Sequence, residues 1–290
     1  MSHEELCRPV IVTASAAECW DTLSERQKEC VQSWNAMAHT RIPVVHVYNG
    51  RGVVPAFRQG LERAAAEYTH CNVAVLLHDD VIIKQQNWDQ ELIRFYEWAW
   101  ALRLGVCVGF SGAYGIGRSD IYKNPYDPMQ LARQSFISNL VSAESHGARE
   151  VFPRRVACCD GFSFSGPVRF LQRAFHRLDK IDEIVHHAYD TMLGLIADDH
   201  ELETWFLPIY CEHFGGMTTT RPEYLEWAQA QGTSDAAIWQ HAHRQFYEYG
   251  RGKLPLYIDS SARVNSPGRI MASSRGRYRS LDMQFFGGGK

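Results

Sequence analysis

The sequence predicts an α/β fold built on a doubly wound, mostly parallel sheet. Three observations carry that expectation. Short β-branched runs alternate with amphipathic stretches from the first residues onward, the run 72–77 is almost continuously apolar, and two acidic residues stand just past it, after His78. A strand that is apolar on both sides needs cover on both faces, and helices that alternate with strands along the chain supply it.

Val10-Ile11-Val12-Thr13-Ala14 is a β-branched run ending in small residues, and Ser24 then opens a charged amphipathic stretch through Trp34, which reads as strand, loop, helix. Residues 43–48 form a second strand, closed by Asn49-Gly50, a pair that tolerates positive φ. A helix over 54–68 follows, with Pro55 in its first turn. The third strand, 72–77, runs straight into His78-Asp79-Asp80. An aromatic-rich helix over 87–104 and a fourth strand over 105–110 complete a βαβαβαβ order.

The pattern then changes. Gly112, Gly115 and Gly117 sit too late in the chain for a dinucleotide fingerprint and read as a mobile loop over a ligand. Past Asn124-Pro125 and Asp127-Pro128 a helix is expected over 129–141, and so long an excursion tends to be functional. Strand character returns over 155–165, helices over 167–178 and 182–196, and a last strand over 204–211. Residues 222–249 read as helix around a break near Gly232.

Composition sets the outer bounds. With 290 residues, 45% apolar and 22% charged, the chain suits one large domain or a domain with an appendage, and no repeat points to a fibre, a solenoid or disorder. Glu4, Glu5 and Arg8 interrupt the start, so no signal peptide is expected. No stretch approaches the roughly 18 apolar residues of a spanning helix, so a cytoplasmic location is expected. Eight cysteines without CxxC spacing suggest reduced structural thiols. Residues 251–290 hold eight Lys/Arg against two acids, a balance that suits an anionic partner, whether glycan, nucleic acid or small molecule. Tyr114, Tyr122, Tyr126, Phe162, Phe164 and Trp205 offer a stacking platform for a sugar or base, or simply core. His186, His187, His241 and His243 lack structural-zinc spacing and read as structural or surface residues.

In open α/β sheets ligands collect at the carboxyl ends of strands. Asp79 and Asp80 lie there, as hard oxygen ligands suited to Mg2+ or Mn2+ with positions left for phosphate oxygens. A solvated acidic turn is the plainer alternative for an Asp-Asp pair alone.

The stretch Val75-Leu76-Leu77-His78-Asp79-Asp80-Val81 resembles the Asp-x-Asp strand end of the family 2-like glycosyltransferases of the GT-A fold, with His78 where the first Asp is usual. Residues 55–64 resemble that family's helix after strand two, Cys159-Asp160-Gly161-Phe162-Ser163-Phe164 its acceptor-side segment, and His187-Ala188-Tyr189-Asp190 with 205–213 its late acidic motif and final strand ending in His. The likeness covers about residues 8–216. It implies a GT-A domain over 1–216, followed by a helical extension over 217–250 and a basic tail over 251–290. It further implies Mn2+ or Mg2+ at Asp80 and His213, and Asp190 as general base with inversion at the anomeric carbon. A nucleotide-sugar donor would be met by Thr13, Ala14, Asn49, Arg58, His78, Asp79, Asp160 and Gly161. Asn49 stands where an Asp commonly contacts the nucleotide, and with His78 it leaves a second reading: a binding module of the same fold without turnover. A metal-dependent nucleotidyltransferase is a third.

Overall fold

A computed structural model describes residues 6–50, 52–117, 133–138, 148–181, 187–215, 222–230, 232–254, 256–258 and 269–271. In order these form β1 (Pro9–Ala14), a 3-10 turn (Trp20–Thr22), α1 (Glu25–Ala36), β2 (Val44–Val47), α2 (Val53–Glu67), β3 (Val73–Leu77), β4 (Val81–Ile83), α3 (Trp88–Ala101), β5 (Val106–Gly109) and β6 (Ser111–Ile116). Next come β7 (Arg133–Ser138), β8 (Ala148–Arg149), β9 (Arg154–Arg155), β10 (Cys158–Cys159), β11 (Ser163–Pro167), α4 (Val168–Leu178), α5 (Tyr189–Asp199), β12 (Glu203–Phe206) and β13 (Cys211–His213). The pair α6 (Pro222–Ala230) and α7 (Asp235–Tyr249) and the strands β14 (Leu256–Ile258) and β15 (Arg269–Met271) complete the described elements.

The fold is α/β around a mostly parallel seven-stranded sheet in the order β2-β1-β3-β11-β5-β12-β9. Strands β2, β1, β3, β5 and β12 run one way, while β11, between β3 and β5, and β9, at the edge, run the other. Side chains alternate between faces along each strand. Val10, Val12, Ala74, Leu76 and Cys107 enter one apolar cluster with Phe57 and Leu61 of α2 and Leu171 and Phe175 of α4. Ile11, Val73, Val75, Leu77, Val106 and Val108 enter the other with Trp34 of α1 and Trp88, Leu92 and Phe95 of α3. Burying each such aliphatic or Phe side chain contributes about 1.5–3 kcal/mol, which is why β3 is apolar at every position.

Local chemistry sets the elements that frame the strand ends. Ser24 caps α1 by accepting from Gln27 N–H, and Gln27 Oε1 accepts from Ser24 N–H in return. The buried indoles find carbonyls: Trp34 Nε1 donates to Val81 O and Trp88 Nε1 to Trp34 O, each at 2.8 Å, tying α3 to α1 and α1 to β4. All eight cysteines are free and most are buried. Among the described residues no helix is long and apolar enough to cross a membrane.

Four expectations are corrected. The stretch Gly112–Gly117, read as a mobile loop, lies in β6 up to Ile116, and β6 pairs with β7, β10 and β14 in a second sheet ordered β15-β14-β6-β7-β8. Gly112 serves close packing there, since a Cβ on it would lie 2.8 Å from Cys158 O. The helix expected over 129–141 is strand β7 at 133–138, where pairing with β6 overrides local preference; the rest of that span, with Tyr122 and Tyr126, lies outside the described residues. The single strand expected over 155–165 is three pieces that serve β12, β6 and β3 in turn. The strand expected over 204–211 breaks at Leu207–Tyr210, where Pro208 lacks a ladder donor, and β13 resumes against β4 instead of β5.

Candidate functional site

Because β1, β2 and β3 are parallel, their carboxyl ends open on one edge. Thr13 and Ala14 close β1, Asn49 follows β2 with a left-handed φ of 55°, and His78-Asp79-Asp80 follow β3. Strand β11 runs antiparallel, so its start, preceded by Asp160 and Gly161, reaches the same edge, and His78 N–H donates to Phe162 O at 3.0 Å. Register does the rest: β13 pairs with β4 so that His213 lies opposite Val81, next to Asp80.

His78, Asp80 and His213 thereby converge, with one ligand atom from each within 4.8 Å of the others. His213 Nε2 is 3.3 Å and His78 Nδ1 4.0 Å from Asp80 Oδ1. That oxygen is buried and, among the described residues, makes no well-formed hydrogen bond. Burial would raise the Asp80 pKa, but His213 and then His78 hold its carboxyl below the usual range. Burial lowers the His78 imidazole below its ordinary value, with Asp80 pulling up and His213 down by less. The ring of Phe162 stacks on His213 at 4.6 Å and 22°.

A buried carboxylate oxygen short of donors, facing two imidazoles, fits a divalent cation. Two nitrogens and one oxygen suit a transition metal with open positions better than Mg2+, which prefers oxygen throughout. Asp79, Asp80, Asp160 and Asp190 are each at most 9% exposed, so four carboxyl groups are concentrated at one edge, where a bound cation would offset their charge.

Asp79 is held differently. Its Oδ2 accepts from Ser15 Oγ at 2.6 Å and from Gln27 Nε2. Behind Ser15, His46 Nε2 lies 2.7 Å from the hydroxyl; the Ser15 proton goes to Asp79, so the imidazole donates. Burial takes the His46 pKa to about 4, so that ring is neutral. Asp160 is near enough for its charge to act on His78.

Asp190 stands in the first turn of α5, where Oδ2 accepts from Gly161 N–H at 3.1 Å and Oδ1 from Thr191 N–H at 2.6 Å and Thr191 Oγ1 at 3.1 Å. Ala188, with φ of 60°, turns the chain into that helix. Tyr189 Oη donates to Gly161 O at 2.8 Å and lies 2.8 Å from His78 Nε2. Gly161 is thus the contact point for α5, and a Cβ there would meet Tyr189 Cζ at 2.7 Å and Asp190 Cβ at 3.2 Å. Gly161→Ala is expected to lower unfolding free energy by about 1–3 kcal/mol in urea titration, as overpacking does; unchanged stability would mean α5 does not bear on this residue.

The structure therefore gathers His78, Asp79, Asp80, Asp160, Gly161, Asp190 and His213 at the edge that Thr13, Ala14 and Asn49 also line. Thr13 Oγ1 is buried without a hydrogen-bond partner among the described residues. Arg58 is engaged elsewhere, its Nη1 2.8 Å from Asp179 Oδ2 just past α4. Sequence reasoning gave no role to Ser15, Gln27, His46 or Tyr189. Gln27 was visible only as the third residue after Ser24, a capping signal that says nothing of its other amide atom.

No protein-family model matches the sequence, and a search of curated proteins also finds no match. Among solved structures the chain is similar to A197 from STIV, at 15% identity and a TM-score of 0.41 over 71% of this chain and 85% of that one. It is similar to GalNAc-T7, solved with UDP, GalNAc and Mn2+, at 14% and 0.42 over 76% of this chain and 46% of that one, so it spans just under half of that protein. A third is 4-diphosphocytidyl-2C-methyl-D-erythritol synthase from Anaerococcus prevotii, at 9% and 0.40 over 78% and 98%. Likenesses this distant assign no activity.

Proposed function

We propose that this protein is a metal-dependent glycosyltransferase that moves a sugar from a nucleotide-diphosphate donor to a hydroxyl acceptor with inversion. The observation that carries the reading is the meeting of His78, Asp80 and His213 at the carboxyl end of β3, joined through Gly161 to Asp190. It agrees with the order of motifs along the sequence. A divalent ion at the three side chains would neutralise charge on a departing diphosphate.

The chain's own groups then divide the work. Thr13, Ala14 and Asn49 line the side of the edge suited to the nucleotide, and Asp160 the side suited to the sugar. Asp79, tied to Ser15 and Gln27, acts as a support that holds the 78–80 turn in place. Asp190 receives the acceptor proton. In this reading residues 1–216 form the catalytic unit and 217–250 a helical extension. The basic segment after 250 suits an anionic acceptor and returns to the second sheet through β14.

The test is a screen of nucleotide sugars for metal-dependent release of nucleoside diphosphate. Two imidazoles among three donors predict that Mn2+ supports release and Mg2+ does so poorly. Equal rates with both ions, insensitive to His213→Ala, would remove the assignment of this centre. Tight donor binding without release would favour the binding module, and pyrophosphate release from a nucleoside triphosphate the nucleotidyltransferase.

A further inference from the structure

Resting on the metal reading above, we infer that Tyr189 is a positioning residue for that centre: its hydroxyl fixes the tautomer and ring orientation of His78, and so sets how tightly the ion is held. The relevant geometry is a two-step relay, His78 Nε2 to Tyr189 Oη at 2.8 Å and Tyr189 Oη to Gly161 O at 2.8 Å. A carbonyl oxygen only accepts, so the single hydroxyl proton points to Gly161. The remaining contact then has His78 Nε2–H donating to the hydroxyl oxygen, which leaves the lone pair on Nδ1. Nδ1 is the atom that faces Asp80 Oδ1 at 4.0 Å. In the neutral ring Nδ1 then turns a lone pair toward the Asp80 carboxylate, a pair of donors that a cation between them would join, and the relay holds the ring in an orientation that presents Nδ1 to it.

The same glycine serves both neighbours on α5, its carbonyl accepting from Tyr189 and its N–H donating to Asp190. The left-handed Ala188 brings both residues to that peptide unit. Tyr189 is therefore the side chain through which the start of α5 reaches the metal ligands, while Asp190 keeps its own anchor.

The experiment is a Mn2+ titration of the full chain followed by the EPR signal of free ion, with the wild type, Tyr189→Phe, His78→Ala, the double variant and Asp80→Asn. Phe keeps the ring and removes only the hydroxyl. Tyr189→Phe is expected to weaken Mn2+ binding about 10–100-fold, and to add little once His78 is Ala, since a residue acting through His78 has nothing left to act on. Wild-type affinity in Tyr189→Phe, or losses that simply add in the double variant, overturns the inference while leaving the metal reading intact if Asp80→Asn still abolishes binding. A wild type that binds no Mn2+ overturns both. Imidazole 15N resonances of the metal-free wild type give a check independent of any substitution: His78 protonated on Nε2 supports the relay, and protonation on Nδ1 rules it out.

Discussion

Asp80→Asn is expected to reduce metal-dependent nucleoside diphosphate release by about three orders of magnitude, because stabilising charge on a leaving diphosphate is worth several kcal/mol at about 1.4 kcal/mol per decade. Asp80 is the one carboxylate in the three-donor cluster. Its Oδ1 is buried and lies 3.3 Å from His213 Nε2, and among the described residues it makes no well-formed hydrogen bond. The amide has almost the same shape but replaces an anionic ligand with a neutral one, so packing of the 78–80 turn should change little. Release is measured at saturating donor with Mn2+ varied, alongside the thermal midpoint of each protein. A variant that keeps its melting behaviour, turns over at near wild-type rate and shows an unchanged Mn2+ requirement would place the metal elsewhere.

Asp190→Asn is the second large effect. A positioned general base typically contributes 10²–10⁴-fold, so kcat should fall by about that range. Asn preserves the size of the side chain, but its single acceptor oxygen can serve Gly161 N–H or Thr191 N–H and not both, so the thermal midpoint measured alongside separates loss of basicity from loss at the helix start. Because the group acts on the acceptor proton in the transition state, kcat and kcat/KM should drop together while Mn2+ affinity stays at the wild-type value. A loss confined to donor KM, or a kcat close to wild type, would reduce Asp190 to its structural part, the bonds to Thr191 and Gly161 at the first turn of α5.

The contrast between Asp79 and Asp80 shows how far pattern reading goes. Both residues were legible as acidic groups at the end of a buried strand, yet their neighbours differ. Asp79 accepts from Ser15 and Gln27, which arrive from β1's end and from α1, whereas Asp80 faces two imidazoles. Adjacent residues on an extended turn point in different directions, and nothing in a dipeptide says which neighbours each meets. The second sheet fared worse for the same reason. Strand β6 looks like a glycine-rich loop because its glycines are read locally, although Gly112 is where β10 passes close by.

The sequence by itself determined the α/β class and the location of the acidic pair at the carboxyl edge. Burial of a strand on both faces requires apolar residues at every position, and that requirement is written directly into residues 73–77. The order of motifs also marked Asp160, Asp190 and His213 as candidates. Only the tertiary structure decided that His78 joins Asp80 and His213, that Tyr189 and Gly161 stand behind His78, and that Gln27 reaches Asp79. Gln27 and Asp79 are 52 positions apart and His78 and Tyr189 are 111. These contacts depend on strand register and on the insertion of β11 between β3 and β5, which arise from the packing of the whole chain and leave no periodic trace in any one segment.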